Sequence, residues 1–298
     1  MSRSVSPVSG KPYGLAVVCR VWRLARSGVY RQRAPAAPVV TAVRRRGPVG
    51  AMPDPELLAA IRAVLAASPF HGEGHRKVWA RLRHGGIRTS LRRVLRLMGQ
   101  HDLLAPSRVG VPRGPRSHDG TIIPTTVDTM WGTDLTTTIT GEGQAAVFVA
   151  VDHCSAECVG IHADARATRF QTLEPIRQGV RQHFGGFGKA IAHGLSVRHD
   201  HGSQYMSDAF QKEIAFLGIE SSPAFVRAPE GNGCAERFIR TLKENLLWLR
   251  TFDTVEELRH ALLDFRETYN TTWLIERHGF ITPTAFRQQQ LQPAAIAA

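Results

Sequence analysis

Residues 125–163, TTVDTMWGTDLTTTITGEGQAAVFVAVDHCSAECVGIHA, decide the fold. Thr125 to Thr140 is rich in threonine, whose branched Cβ suits an extended chain. Gly141-Glu142-Gly143 turns the chain, and two short apolar runs follow, Ala145 to Asp152 and Glu157 to Ala163. Three strands joined by short turns imply antiparallel pairing. Downstream the texture alternates. Ala167 to Phe184 reads as a helix and Leu195 to His199 as a fourth strand. Ser207 to Leu217 reads as a helix, capped by Ser207 and stopped by Gly218, before a short strand at Ile219 to Ser222. Two helices close the region, about Ala235 to Leu249 and Val255 to Tyr269, the second opened by a Thr254/Glu257 capping box. Hairpin strands, then alternating helix and strand, then helices describe an α/β fold: a mixed sheet with helices on its faces.

Three acids stand out in this region. Asp134 sits mid-strand in Trp131-Gly132-Thr133-Asp134-Leu135-Thr136, where an unpaired carboxylate is costly. Asp200 follows the Leu195–His199 strand, at the kind of strand end where open α/β sheets hold their sites. An Asx-turn is the competing explanation for it. Glu236 lies on the helix whose apolar positions, Phe238, Ile239, Leu242, Leu246 and Leu249, fall within about 100°. At that pitch Glu236, Arg240 and Lys243 share the other side. Glu236 and Arg240 alone, at i and i+4, read equally as a surface ion pair. Thirty-five residues separate Asp200 from Glu236. Asp152 is a further strand-end carboxylate. Asp128 reads as exposed, and Asp164 and Asp208 as turn and cap residues.

Toward the N-terminus the chemistry changes. Residues 1–120 hold 22 Lys+Arg against 5 Asp+Glu, whereas 121–298 hold 16 against 20, within an overall net charge of +13. The first part is a polycation, and nucleic acid is the leading partner for it. Residues 1–50 form a basic segment with one weakly helical stretch, Leu15 to Tyr30, and Arg44-Arg45-Arg46-Gly47-Pro48 reads as a linker. Residues 51–105 hold three short helices. They run from Asp54 to Ala67, from His75 to Arg83 up to Gly85-Gly86, and onward from a Thr89 or Ser90 cap. The third carries Leu91, Val94, Leu95 and Met98 on one face and Arg92, Arg93 and Arg96 elsewhere. A glycine turn before a basic third helix makes a helix-turn-helix, and a small bundle with solvated arginines is the alternative. Residues 106–120 are a Pro/Gly linker, 121–288 the α/β domain and 289–298 a tail.

With 43% hydrophobic and 21% charged residues the chain is of globular composition, and no apolar run reaches the length of a membrane span. Gly14 to Cys19 is too short for the apolar core of a signal peptide. Four cysteines, Cys19, Cys154, Cys158 and Cys234, make no disulfide framework, so a reducing cytosolic home is expected, with no membrane partner.

Taken together, these blocks resemble a known family. Asp134, Asp200 and Glu236 with the 35-residue gap resemble the DDE triad of the retroviral-integrase superfamily. More closely, the chain resembles the OrfB-type catalytic subunit of bacterial insertion-sequence transposases. The blocks Trp131-Gly132-Thr133-Asp134, Gly202-Ser203-Gln204-Tyr205 and Asn232-Gly233-Cys234-Ala235-Glu236-Arg237-Phe238 carry the catalytic resemblance. His75-Arg76-Lys77-Val78 and Arg93-Val94-Leu95-Arg96-Leu97-Met98 carry that of the helix-turn-helix. Tyr269-Asn270, Trp273 through Gly279 and Thr282-Pro283 match the closing signature. His199 stands where serine is commoner, and Gly231-Asn232-Gly233 replaces the more usual Asp-Asn-Ala; neither removes a carboxylate.

The resemblance implies an RNase H-like sheet, preceded by a small all-α helix-turn-helix domain. It implies a DNA transposase that cleaves and joins strands with two Mg²⁺ or Mn²⁺ ions held by Asp134, Asp200 and Glu236. It places a DNA contact at Lys243 on the catalytic helix, for which a solvated lysine is the alternative; Arg240 beside it, and Arg76, Lys77, Arg92, Arg93 and Arg96 of the basic helices, are expected on DNA from their charge. Terminal repeats, target DNA, a homo-oligomer on DNA and an upstream OrfA product, as partner or fusion, are the implied partners, in the bacterial cytosol. The alternatives are a catalytically inactive DNA-binding regulator and a stand-alone nuclease. Zinc is not expected: His71 and His75 have ligand-like spacing, but the next cysteine is Cys154. Cys154 and Cys158 are expected as packed thiols, and His199 and His201 as residues of the Asp200 loop.

Overall fold

A computed structural model describes residues 4–33, 52–106, 122–224 and 232–292. The Arg44–Arg46 run, most of the 106–120 linker and Gly231 lie outside them. The chain divides into Met1–Ala51 and Met52–Ala298. In the first unit the expected helix over Leu15–Tyr30 is two helices, α1 (Leu15–Val21) and α2 (Arg26–Arg33). Arg23, at φ 51°, separates them, because a left-handed residue cannot continue a right-handed helix.

The second unit begins with three helices, α3 (Asp54–Ala67), α4 (His75–His84) and α5 (Leu91–Gln100). The Ser90 side chain caps α5 by accepting the Arg93 N–H. Leu57, Ile61, Val78, Leu82, Val94, Leu97 and Met98 close a core of their own, which the helical spacing of these residues dictates.

Then follows a five-stranded sheet in the order β3-β2-β1-β4-β5, from β1 (Met130–Thr140), β2 (Gly143–Asp152), β3 (Cys158–Asp164), β4 (Ser196–His199) and β5 (Glu220–Pro223). β1, β2 and β3 pair antiparallel, and β4 and β5 run parallel to β1. β2 lies inside the sheet, between β3 and β1, and is buried from Ala145 onward, hence its unbroken apolar run. Its alternate side chains serve two cores. Val147, Val149 and Val151 face α8 (Gly233–Leu242) and α9 (Val255–Thr272), while Ala150 joins Trp131 against α6 (Arg169–His183) and α7 (Asp208–Phe216). The described residues close with a short 3₁₀ turn and α10 (Pro283–Leu291), which crosses the 288/289 boundary expected from sequence.

The expected helix Ala235–Leu249 changes character. α8 stops at Leu242, and a π-helical turn, Lys243–Leu247, continues it. The wider turn shifts the phase of the side chains. Leu247 is therefore buried and Leu249 is 56% exposed, the reverse of the 100° reading. Asp128 also departs from expectation. It is half-buried and paired with Arg287 of α10 at 2.6 Å. Asp152 is fully buried and accepts from Asp128 N, Ser155 N and Ser155 Oγ, a structural role. All four cysteines are free and buried. Asp164 accepts the Arg166 N–H in a turn.

α6 lies directly on β3 at Gly160, where an added Cβ would stand 1.9 Å from the Pro175 carbonyl oxygen. Backbone cannot yield as a side-chain tip can. Gly160→Ala is expected to destabilise the fold by about 3 kcal/mol, read as a lower urea midpoint with an unchanged slope.

Candidate active site

Asp134 and Asp200 owe their proximity to strand register. β1 and β4 pair as Met130–Ser196, Trp131–Val197 and Gly132–Arg198. Each aspartate lies two residues beyond the Gly132–Arg198 pair, Asp134 still within β1 and Asp200 one residue past the end of β4, so the register brings both to about one level of the sheet, whose neighbouring strands run about 4.8 Å apart. Asp134 opposes Val149, a residue of the core shared with α8, and so faces that helix. Its Oδ1 accepts the Leu135 N–H at 2.8 Å.

Glu236 stands in the first turn of α8, where the helix dipole favours a carboxylate. Asn232 holds this end of the helix to β1, its Nδ2 donating to the Thr133 carbonyl beside Asp134 at 3.0 Å. The approach requires Gly132: a Cβ there would come within 2.5 Å of both Asn232 Oδ1 and His153 Nε2. Gly132, Asn232 and His153 were not expected as site residues. A glycine inside a strand is the signal that marks such a close approach.

The electrostatics tie the three acids together. Burial, first of all, raises the Asp134 carboxyl to about 6, the Asp200 and Glu236 charges add to the rise, and Lys243 opposes it. Burial also raises Glu236. The phenol of fully buried Tyr205 is pushed up by burial, and the Asp134 and Asp200 charges add to this. Among the described residues no three His, Cys, Asp or Glu side chains stand close enough to hold a metal ion. The acids share a field, with Lys243 the cation that reaches it.

Asp200 is exposed, and its Oδ1 accepts the Gly202 N–H at 2.8 Å, so the Asx-turn is made as well. The loop is anchored beneath. His199 is buried, bonded to Asp200 O at 2.6 Å and to Ser221 Oγ at 2.9 Å, and stacked on Tyr205. His201 Nε2 bonds the Ala224 carbonyl at 2.7 Å. Both imidazoles hold the loop.

The basic side chains expected on DNA fall into two groups. Arg93 and Arg96 both bind Asp54 of α3, which holds that carboxyl down at about 2. Arg76 pairs with Glu276 at 2.6 Å, Lys77 lies over the Trp273 ring, and Arg240 pairs with Glu244 at 2.9 Å. Arg92 is exposed, and among the described residues no acidic side chain pairs with it. Lys243 is half-buried.

The family description "Integrase core domain" matches residues 124–229, a second description of the same name matches 217–283, and "HTH-like domain" matches 53–109. The transposase InsD of insertion element IS2 from Escherichia coli is 26% identical over 244 residues, 80% of either chain. The catalytic core of BIV integrase superposes with a TM-score of 0.40 at 20% identity, covering 54% of this chain and 95% of that one. The HTLV-2 integrase core solved with magnesium gives 0.41 at 17%, covering 56% and 99%. Among the described residues no helix is long and apolar enough to cross a membrane.

Proposed function

We propose that this chain, which belongs to the integrase-core family and is homologous to insertion-element transposases, cleaves and joins DNA strands with Asp134, Asp200 and Glu236 as its catalytic carboxylates. The observation that carries this reading is geometric: the β1–β4 register sets Asp134 and Asp200 at about one level and Asn232 seats the start of the Glu236 helix beside Asp134, so that the three acids share one field. Such a field is costly for the protein alone and favours cations at the site. Hard oxygen donors suit Mg²⁺ or Mn²⁺. Among the described residues no three such side chains stand close enough to hold an ion, so the three carboxylates would have to draw together to hold two of them, which when bound would supply Lewis acidity at the scissile phosphate.

The chain's own residues do the rest. The β1–β4 register keeps Asp134 and Asp200 level, and Asn232 keeps the start of the Glu236 helix against β1. Lys243 provides a positive charge for a DNA phosphate near Asp134. In the reaction a hydroxyl oxygen, from water and then from a DNA 3′ end, attacks phosphorus while the 3′-oxygen of the broken strand leaves. One phosphodiester replaces another in the joining step, so no nucleotide triphosphate is needed. The partners of this reading are the element's terminal repeats and target DNA, a second copy of the chain to hold the second end, and an OrfA product.

The test uses labelled duplexes carrying the element's ends with Mg²⁺ or Mn²⁺, with and without the product of an upstream frame. Joined strands support the reading. Salt-sensitive binding without joining in every arrangement would leave a DNA-binding regulator instead, and nicks alone a nuclease.

A second prediction separates the arginines of α5. Arg92→Ala is expected to weaken DNA binding about tenfold at low salt and to reduce the salt slope by about 1. Arg93→Ala, which leaves Asp54 with Arg96 alone and removes the bond to the Met52 carbonyl, is expected to lower the melting temperature. Fluorescence anisotropy across a salt series and a thermal melt decide between them; equal effects of both on binding would contradict the division.

A further inference from the structure

The segment after α8 carries a side chain bonded in two directions. Asn245 lies in the π-helical turn, nine residues past Glu236 and two past Lys243. Its Nδ2 donates to the Thr241 carbonyl of α8 at 2.9 Å. Its Oδ1 accepts the His71 N–H at 2.8 Å, across 174 residues of sequence, from the turn between α3 and α4. π-turns are uncommon inside α-helices and are frequent at functional sites.

Neighbouring contacts run along the same seam. Buried Phe70, one residue before His71, packs edge-on against Trp273 at 4.7 Å and Phe265 at 6.2 Å. Phe265 in turn meets Phe238, two residues past Glu236, at 6.1 Å. Arg81 donates to the Thr272 carbonyl at 3.1 Å, and Trp79 meets Phe280 at 5.9 Å. The helix-turn-helix is thus seated on α9 and on the continuation of the Glu236 helix.

We propose that Asn245 is a positioning residue, coupling DNA held by the helix-turn-helix to the helix that carries Glu236 and Lys243. The inference rests on the DNA-joining reading for its purpose, yet the coupling is measurable without catalysis. The apolar seam holds the domains together, and Asn245 sets the register between them, since among the described residues it alone bonds the His71 backbone to the α8 backbone. When DNA steadies the turn at His71, the steadying passes through Oδ1 and Nδ2 to Thr241.

Hydrogen exchange read by mass spectrometry tests this in the full chain, with and without a duplex carrying the element's end. In the wild type, DNA is expected to slow exchange of 233–247 about tenfold, the scale of one hydrogen bond. In Asn245→Ala that slowing is expected to fall below about twofold, although DNA affinity holds. Asn245→Asp keeps the acceptor for His71 and is expected to retain protection at 70–75 while losing part of it at 241–247. Equal protection of 233–247 in wild type and Asn245→Ala, or no response to bound DNA in the wild type, would overturn the coupling. Strand joining is assayed in parallel. Its absence in the wild type would count against the joining reading, while the exchange data decide the coupling.

Discussion

Replacing Glu236 by glutamine, or Asp134 by asparagine, is expected to abolish strand joining, by about a thousandfold or more, since several kcal/mol of transition-state stabilisation would go with the lost ligand. DNA binding is expected to survive, because the basic surface is untouched. Joining that persists in either variant would remove these carboxylates from the site. The same Asp134→Asn change carries a stability signature. The ordinary carboxyl value is 3.8, and the fold raises Asp134 to about 6. Folding therefore favours the protonated form. The stability tied to this group is fully present below about 3.8 and is lost as pH rises through about 6. Two pH units correspond to roughly 3 kcal/mol, an upper figure for a group that is not wholly buried. In chelator-treated protein, Asp134→Asn is thus expected to melt higher than wild type at pH 7 and level with it near pH 3.5. An unchanged melting difference from pH 3.5 to 7 would refute the raised value. A dead enzyme that is more stable is the mark of an acid kept for function rather than folding.

The second large effect belongs to Arg287. This α10 side chain is 4% exposed, bonds Asp128 through both terminal nitrogens at 2.6 and 3.0 Å, and pairs with buried Glu157. Burial raises the Glu157 carboxyl while Arg287 pulls it down. Arg287→Ala would leave the acids without their cation, at a cost of about 3–5 kcal/mol. Urea unfolding at pH 7 measures it. As pH falls and the orphaned carboxyls take up protons, the deficit is expected to shrink. A deficit that stays constant down to pH 4 would mean that packing, not charge, is what Arg287 supplies. The consequence extends to the site, because Asp128 Oδ1 also accepts the indole N–H of Trp131, three residues before Asp134.

Much of this was legible. Ser90, Ser207 and Thr254 cap the helices they were expected to open, because capping is a bond between a side chain and a backbone N–H three residues away. The apolar run Ala145–Val151 marked a strand covered on both faces. Other features were not legible. Arg93 and Arg96 read as DNA contacts, and nothing local showed that both also bind Asp54, about 40 residues earlier in the chain. Asp128 read as exposed because its partner is 159 residues away. Leu249 read as buried because a pitch of 100° per residue was carried through a turn that does not keep it.

Interactions reaching three or four residues obey the local geometry of the chain, and so the sequence by itself determined where helices and strands begin, which faces are apolar and which acids are out of place. Which acid meets which depends on how strands slide and helices seat. The level of Asp134 with Asp200 comes from the β1–β4 register, the placing of Glu236 from Asn232 on Thr133, and the seat of the helix-turn-helix from Asn245 and Phe70. Only the tertiary structure decided these, because each joins groups tens to hundreds of residues apart, and no local periodicity records a partner at that distance.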